Sequence, residues 1–136
     1  MPPLGGYHHL NLTVRDIDRS AAWYVAVLGF ENVRDFERPG FRRVFLFHPA
    51  GQFFLGLTRH DGGAPDDVSS ELRVGMDHVA FTVSDVAQLR TWERRFAHSG
   101  VEHSEVKESA SGALLTFRDP DNIQLELHVP IATRSD

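Results

Sequence analysis

Apolar and polar residues alternate with a period of two through residues 9–14 (HLNLTV) and again through 78–83 (HVAFTV). Side chains of a β-strand point alternately to opposite faces, so Leu10, Leu12 and Val14 share one face while His9, Asn11 and Thr13 share the other. In the second stretch Val79, Phe81 and Val83 make the apolar face, and His78, Ala80 and Thr82 lie opposite. Each stretch then passes into helical spacing. Ile17, Ala21, Tyr24 or Val25, and Leu28 mark one face of a helix that starts at Asp16 or Asp18 and stops at Gly29. Val86, Leu89, Trp92 and Phe96 do the same for a helix that follows Asp85 and closes at Gly100.

Period two returns after each helix. In the first half it predicts strands from Phe30 to about Arg38, over 42–48 and over 53–59, separated by Pro39-Gly40 and the turn 49–52. In the second half it predicts strands over 102–106, 113–118 and 123–129, with a loop at 108–112 and a DPDN turn at 119–122. The opening strands are expected over 7–14 and 76–83, and the tail from Pro130 is expected to be unstructured. Residues 60–75 (HDGGAPDDVSSELRVG) are polar and rich in Gly and Asp, the plausible linker between halves.

The two halves are repeats. HLNLTVRD and HVAFTVSD place His, Val and Asp at the same offsets, 69 residues apart. The expected organisation is a βαβββ module over 7–59, a linker over 60–75 and a second βαβββ module over 76–129, together one structural domain of the α+β class. With the aliphatic strand faces covered by helices, a strongly twisted eight-stranded sheet is expected to curl its other face into a cup.

Composition narrows the partners. Among 136 residues, ten Phe and a 41% hydrophobic share supply a core, and the net charge of −5 comes without a basic block that would point to nucleic acid. The apolar runs are too short to span a bilayer and the amino end has no charged and apolar leader, so the expectation is a soluble cytoplasmic protein with no membrane partner. With no Cys, any metal must be held by nitrogen and oxygen.

The last predicted strand, IQLELHV, sharpens that point. Glu126 alternates with Leu125 and Leu127, so it faces the cup, where a carboxylate is costly to bury unless it is paired or bound to a metal. Aligning FFLGLT with IQLELH sets Gly56 opposite Glu126, which leaves two His, one Glu and a void where a fourth ligand would stand. Three nitrogen and oxygen ligands with open positions describe a catalytic metal site. Tyr7, Asn11 and Thr13 are candidate pocket walls beside His9. His60, at a strand end, and His128, two residues beyond Glu126, are candidate substrate contacts. His48, His98 and His103 are expected in solvent, and Phe45, Phe47, Phe54 and Phe117 in the core. Arg118 is expected to clamp an anion or to pair with Asp119 or Asp121.

The segments HLNLTVRDIDRSAAWYVAVLGF, MDHVAFTVSDVAQL and FRDPDNIQLEL resemble the vicinal oxygen chelate superfamily of glyoxalase I, extradiol dioxygenases, fosfomycin-resistance thiol transferases and bleomycin-binding proteins. The resemblance runs over residues 7–129. It implies paired βαβββ modules around one divalent metal (Fe, Mn, Ni, Co or Zn), with His9, His78 and Glu126 as ligands and Glu126 the candidate catalytic base. It implies a metal-dependent enzyme acting on a small-molecule substrate, first a glyoxalase-like lyase or isomerase. Gly56 leaves the two-glutamate proton-shuttling mechanism without its second acid. An Fe(II) extradiol-type dioxygenase, a thiol transferase and a non-catalytic drug- or metabolite-binding protein are the alternatives. It also implies a homodimer, in some relatives formed by exchanging modules.

Overall fold

In the computed structural model, which describes residues 1–130, the chain runs β1 (Leu10–Thr13), α1 (Ile17–Leu28), β2 (Glu31–Arg38), β3 (Phe41–His48) and β4 (Phe53–His60). It continues through β5 (His78–Thr82), α2 (Val86–Ser99), β6 (Lys107–Ser109), β7 (Gly112–Arg118) and β8 (Gln124–Pro130). This is βαβββ twice. Residues from Met1 to Asp67 form one compact unit, and the described residues from Val68 to Pro130 belong to another. The division therefore falls inside the expected linker. Its later part belongs to the second unit, where Ser69 donates its N–H to the Asp121 carbonyl at 2.9 Å and Asn122 Nδ2 donates to the Ser69 carbonyl at 2.9 Å.

Each unit contains one four-stranded mixed sheet. The order is β1-β4-β3-β2 in the first and β5-β8-β7-β6 in the second, and the opening strand pairs in parallel with the last one. The registers correspond: Asn11 lies opposite Gly56, and Ala80 opposite Glu126. Sequence repetition has become repetition of pairing.

The helices form where their caps say they should. Asp16 accepts the Arg19 N–H at 3.0 Å and Asp85 accepts that of Gln88 at 2.8 Å, each satisfying an amide the first turn cannot. Gly29 and Gly100 close the two helices with φ of 79° and 68°, a left-handed conformation costly for any residue with a Cβ. α1 buries Ile17, Ser20, Tyr24 and Leu28 against the sheet face that carries Leu12, Val44, Leu46, Leu55 and Leu57. Tyr24 takes the inward position and Val25 is exposed. In the second unit α2 buries Leu89 and Phe96, and Leu115, Phe117, Leu125 and Leu127 form the matching sheet face. Truncating one such leucine to Ala costs about 2–5 kcal/mol, so these rows fix which face of each strand points away from its helix.

Four expectations change. β1 begins at Leu10 and β5 at His78, so His9 stands just outside its strand and His78 opens its own. Residues 102–106 form no strand: only His103 bridges, to Phe117, and β6 instead covers Lys107–Ser109. Around that bridge the Arg118 N–H donates to the Glu102 carbonyl at 3.2 Å and the Ser104 N–H to the Thr116 carbonyl at 2.8 Å, while the Glu93 side chain accepts the Val106 N–H at 2.8 Å and so ends the pairing there. β8 extends through Pro130, where the unstructured tail was expected to start, and the rest of that tail lies outside the described residues. Of the four Phe expected in the core, only Phe117 is fully buried, while Phe45 and Phe47 are half-buried and Phe54 is exposed on the face away from α1.

Candidate metal and substrate site

The face of the second sheet turned away from α2 carries His78 from β5 and Gln124, Glu126 and His128 from β8. His78 pairs with Gln124 and Glu126 with Ala80, two register steps apart on one face, and their side chains meet with Nε2 3.6 Å from Oε2. On the other side of the ring, Nδ1 lies 2.6 Å from a carboxylate oxygen of Asp77. Asp77 holds the His78 pKa above its ordinary value, opposed by partial burial and assisted by the Glu126 charge. The Glu126 side chain is only 13% exposed.

His9 lies on the first unit, exposed, with Nδ1 2.8 Å from Nδ1 of His8 and its ring edge-on to Phe45. His78 and Glu126 are thus brought together, whereas no group of three or more His, Asp or Glu gathers at metal-holding spacing among the described residues. His128 is half-buried two residues from Glu126. His60 ends β4 in solvent with its ring against Phe41, and Thr13 and Tyr7 are exposed.

The expected void at Gly56 is filled. A Cβ there would lie 2.3 Å from Nδ2 and 2.8 Å from Cγ of Asn11, its register partner. Arg43 Nε donates to Thr58 Oγ1 at 2.9 Å, and that hydroxyl donates its proton to Asn11 Oδ1 at 2.6 Å. Arginine only donates, so the chain has one direction and turns the Asn11 amino group toward Gly56. That nitrogen is buried with no hydrogen-bond partner among the described residues. Asn11, expected as a pocket wall, lays its carboxamide over Gly56 on the sheet face away from α1.

Other polar residues proved structural. Arg118 grips Glu71 with two hydrogen bonds, 3.0 and 2.7 Å, and also donates to the Asn122 carbonyl. Those bonds go to Glu71 rather than to Asp119 or Asp121. Asp119 Oδ1 accepts the N–H groups of Asp121 and Ile123, both at 2.8 Å, which shapes the DPDN turn. His48, expected in solvent, stacks on Phe53 and bonds to the Leu28 carbonyl, and His103 is half-buried against Phe96. His98 is exposed, as expected. A cleft of about 370 Å³ among Arg15, Asp16, Asp18, Glu37, Arg42 and Arg59 lies on the helix side of the first sheet, where Arg42 already pairs with Asp18 and Asp35.

Two βαβββ units with this register define the class, and comparison with known proteins gives it a family. The model of the Glyoxalase/Bleomycin resistance protein/Dioxygenase superfamily matches residues 6–127, and the chain belongs to that superfamily. A glyoxylase/bleomycin resistance protein/dioxygenase domain from Frankia sp. EAN1pec is 33% identical, with a TM-score of 0.88 over 97% of this chain and 96% of that one. The uncharacterized protein YwkD of Bacillus subtilis (strain 168) is 26% identical over 92% of this chain and 97% of its own. A Glu-to-Gln mutant of the fosfomycin resistance protein FosX of Listeria monocytogenes, in a complex with Mn(II) and a dihydroxypropylphosphonic acid, shares the fold. Its TM-score is 0.71 at 18% identity, over 96% of this chain and 94% of that one. No helix among the described residues is long and apolar enough to cross a membrane.

Proposed function

We propose that the chain is a divalent-metal-dependent enzyme acting on a small molecule with two neighbouring oxygens, by glyoxalase-like lyase or isomerase chemistry. His9, His78 and Glu126 are the ligands, a set of two imidazoles and one carboxylate that suits Fe, Mn, Ni, Co or Zn. One observation carries the reading: Nε2 of His78 lies 3.6 Å from the Glu126 carboxylate, while a second carboxylate, that of Asp77, occupies the opposite ring nitrogen. A ring held in that way has one nitrogen fixed and the other turned to an anionic oxygen, which is the donor pair a cation needs. Family membership and the Mn(II) bound to FosX support the same reading.

When bound, the ion supplies a Lewis acid toward a substrate oxygen. The protein's own part is to supply a base beside it, a role we assign to the Glu126 carboxylate when it leaves the ion. The functional unit is a cytoplasmic homodimer, with the two modules drawn from one chain or exchanged between copies.

The second reading is Fe(II)-dependent ring-opening oxygenation. It is favoured by the Asn11 carboxamide over Gly56, which leaves no room for a fourth acidic ligand and so keeps the set at two His and one carboxylate. Metal analysis of protein purified without an affinity tag tests the metal: about one ion per chain is expected, lost in His78→Ala and Glu126→Gln. Oxygen uptake with a catechol after anaerobic iron loading separates the two reactions. A wild-type chain that stays metal-free under loading conditions removes both and leaves a binding protein.

A further inference from the structure

The residue immediately before each of the two histidines meets it in the same way. Asp77 Oδ1 lies 2.6 Å from Nδ1 of His78, and His8 Nδ1 lies 2.8 Å from Nδ1 of His9. Neighbouring residues of a regular strand point to opposite faces and do not meet. They meet here because β5 starts at His78 and β1 only after His9, so the preceding residue is outside the ladder in both halves.

A neutral imidazole carries one proton, on Nδ1 or Nε2, and the hydrogen bond at one nitrogen decides which. A carboxylate only accepts, so the contact with Asp77 requires the proton on His78 Nδ1. Nε2, facing Glu126, then holds a lone pair and no proton. At His9 the partner is a second imidazole and either ring can donate in the contact; placing the proton on His9 Nδ1 makes His8 Nδ1 the acceptor and puts the His8 proton on its own Nε2.

We propose that Asp77 and His8 are positioning residues that lock His78 and His9 as Nδ1–H tautomers, so that each ring presents an unprotonated Nε2 as donor atom. The two locks differ in kind. Asp77 is an anion and makes a charge-assisted bond, the shorter type, whereas His8 is a neutral acceptor. The lock at His78 is therefore the stronger, and that ring is the anchoring ligand of the pair.

The inference rests on the metal reading for its purpose but is tested without metal. Long-range proton–nitrogen spectra of the imidazoles are recorded on the metal-free full chain at alkaline pH. His78 and His9 are expected with the proton on Nδ1. Asp77→Ala is expected to move the His78 proton to Nε2, the form preferred by free neutral histidine, and Asp77→Glu to restore Nδ1–H. His8→Ala is expected to do the same to His9. Zn(II) titration should then show affinity about 10–100-fold lower in Asp77→Ala, with a smaller loss in His8→Ala. An Nε2–H proton on His78 in the wild type, or a tautomer and Zn(II) affinity unmoved by Asp77→Ala, overturns the proposal. A wild type that shows the locked tautomers yet takes up no Zn(II) keeps the lock and removes the metal reading.

Discussion

Arg118 and Glu71, 47 residues apart in the chain, meet through two parallel hydrogen bonds at the foot of β7. The planar guanidinium fits a carboxylate in this forked geometry, and it ties the segment before β5 to the second sheet. Arg118 lowers the Glu71 pKa from its ordinary value of 4.5 to about 2.

A pH dependence follows from that shift. A carboxylate whose folded pKa is depressed adds stability above its unfolded pKa and loses it as the folded pKa is crossed. The contribution from Glu71 is therefore whole above about pH 4.5 and disappears as pH falls through about 2. Both partners are partly in solvent, so the effect is small and screened by salt. Denaturant midpoints measured down this range should fall less steeply in Glu71→Gln than in the wild type, and the difference should shrink in high salt. Identical slopes would mean that the pair adds nothing to stability.

His48 gives a larger stability effect. The Gly51 N–H donates to its Nδ1 at 3.0 Å, which obliges Nε2 to carry the proton and donate to the Leu28 carbonyl at 3.1 Å. One ring thus satisfies the last carbonyl of α1 and the turn after β3, while it stacks on Phe53 at an interplanar angle of 7°. His48→Ala should destabilise the chain by about 1–3 kcal/mol through the part-buried Leu28 carbonyl left without its partner and the lost stacking on Phe53. His48→Gln, which keeps a donor and an acceptor, should recover part of that loss. Urea denaturation followed by far-UV circular dichroism checks both values.

The same residues show which parts of the fold are legible in a sequence. Helix limits came from local signs, Asp16 with Gly29 and Asp85 with Gly100, and both helices form between those residues. The repeat carried the register: aligning Gly56 with Glu126 matches the observed pairing of Asn11 with Gly56 and Ala80 with Glu126. What escaped depends on side chains distant in sequence. Nothing in the period of residues 102–106 reveals that Glu93 will accept the Val106 N–H. Arg118 beside two aspartates invited a local pairing, yet a bidentate partner from the linker took it. His48 looked like a turn residue because its carbonyl partner, Leu28, lies 20 positions earlier. The contact of Asp77 with His78 was readable in principle, since the dipeptide is in plain view, but it requires a strand that begins no earlier than His78.

Gly56 and Asn11 carry the last prediction. A glycine in a strand interior marks a place where something approaches the backbone closely, and here the Asn11 carboxamide does so. The Thr58 hydroxyl holds that carboxamide, so it does not swing away freely when a Cβ is added. Gly56→Ala should therefore cost about 1–3 kcal/mol, as overpacking in a filled interior does. In an Asn11→Ala background the obstruction is gone, and the same substitution should cost less. A double-mutant cycle should return a coupling of about 1 kcal/mol or more between the two positions. The same obstruction governs the missing acid: Gly56→Glu alone should leave Zn(II) affinity no higher, because its side chain cannot settle over Asn11. Trimming Asn11 in that variant should let the carboxylate reach the open face of the sheet and raise the affinity. Additive stabilities in the cycle would show that Asn11 yields its place at no cost, and that the glycine is not there to make room for it.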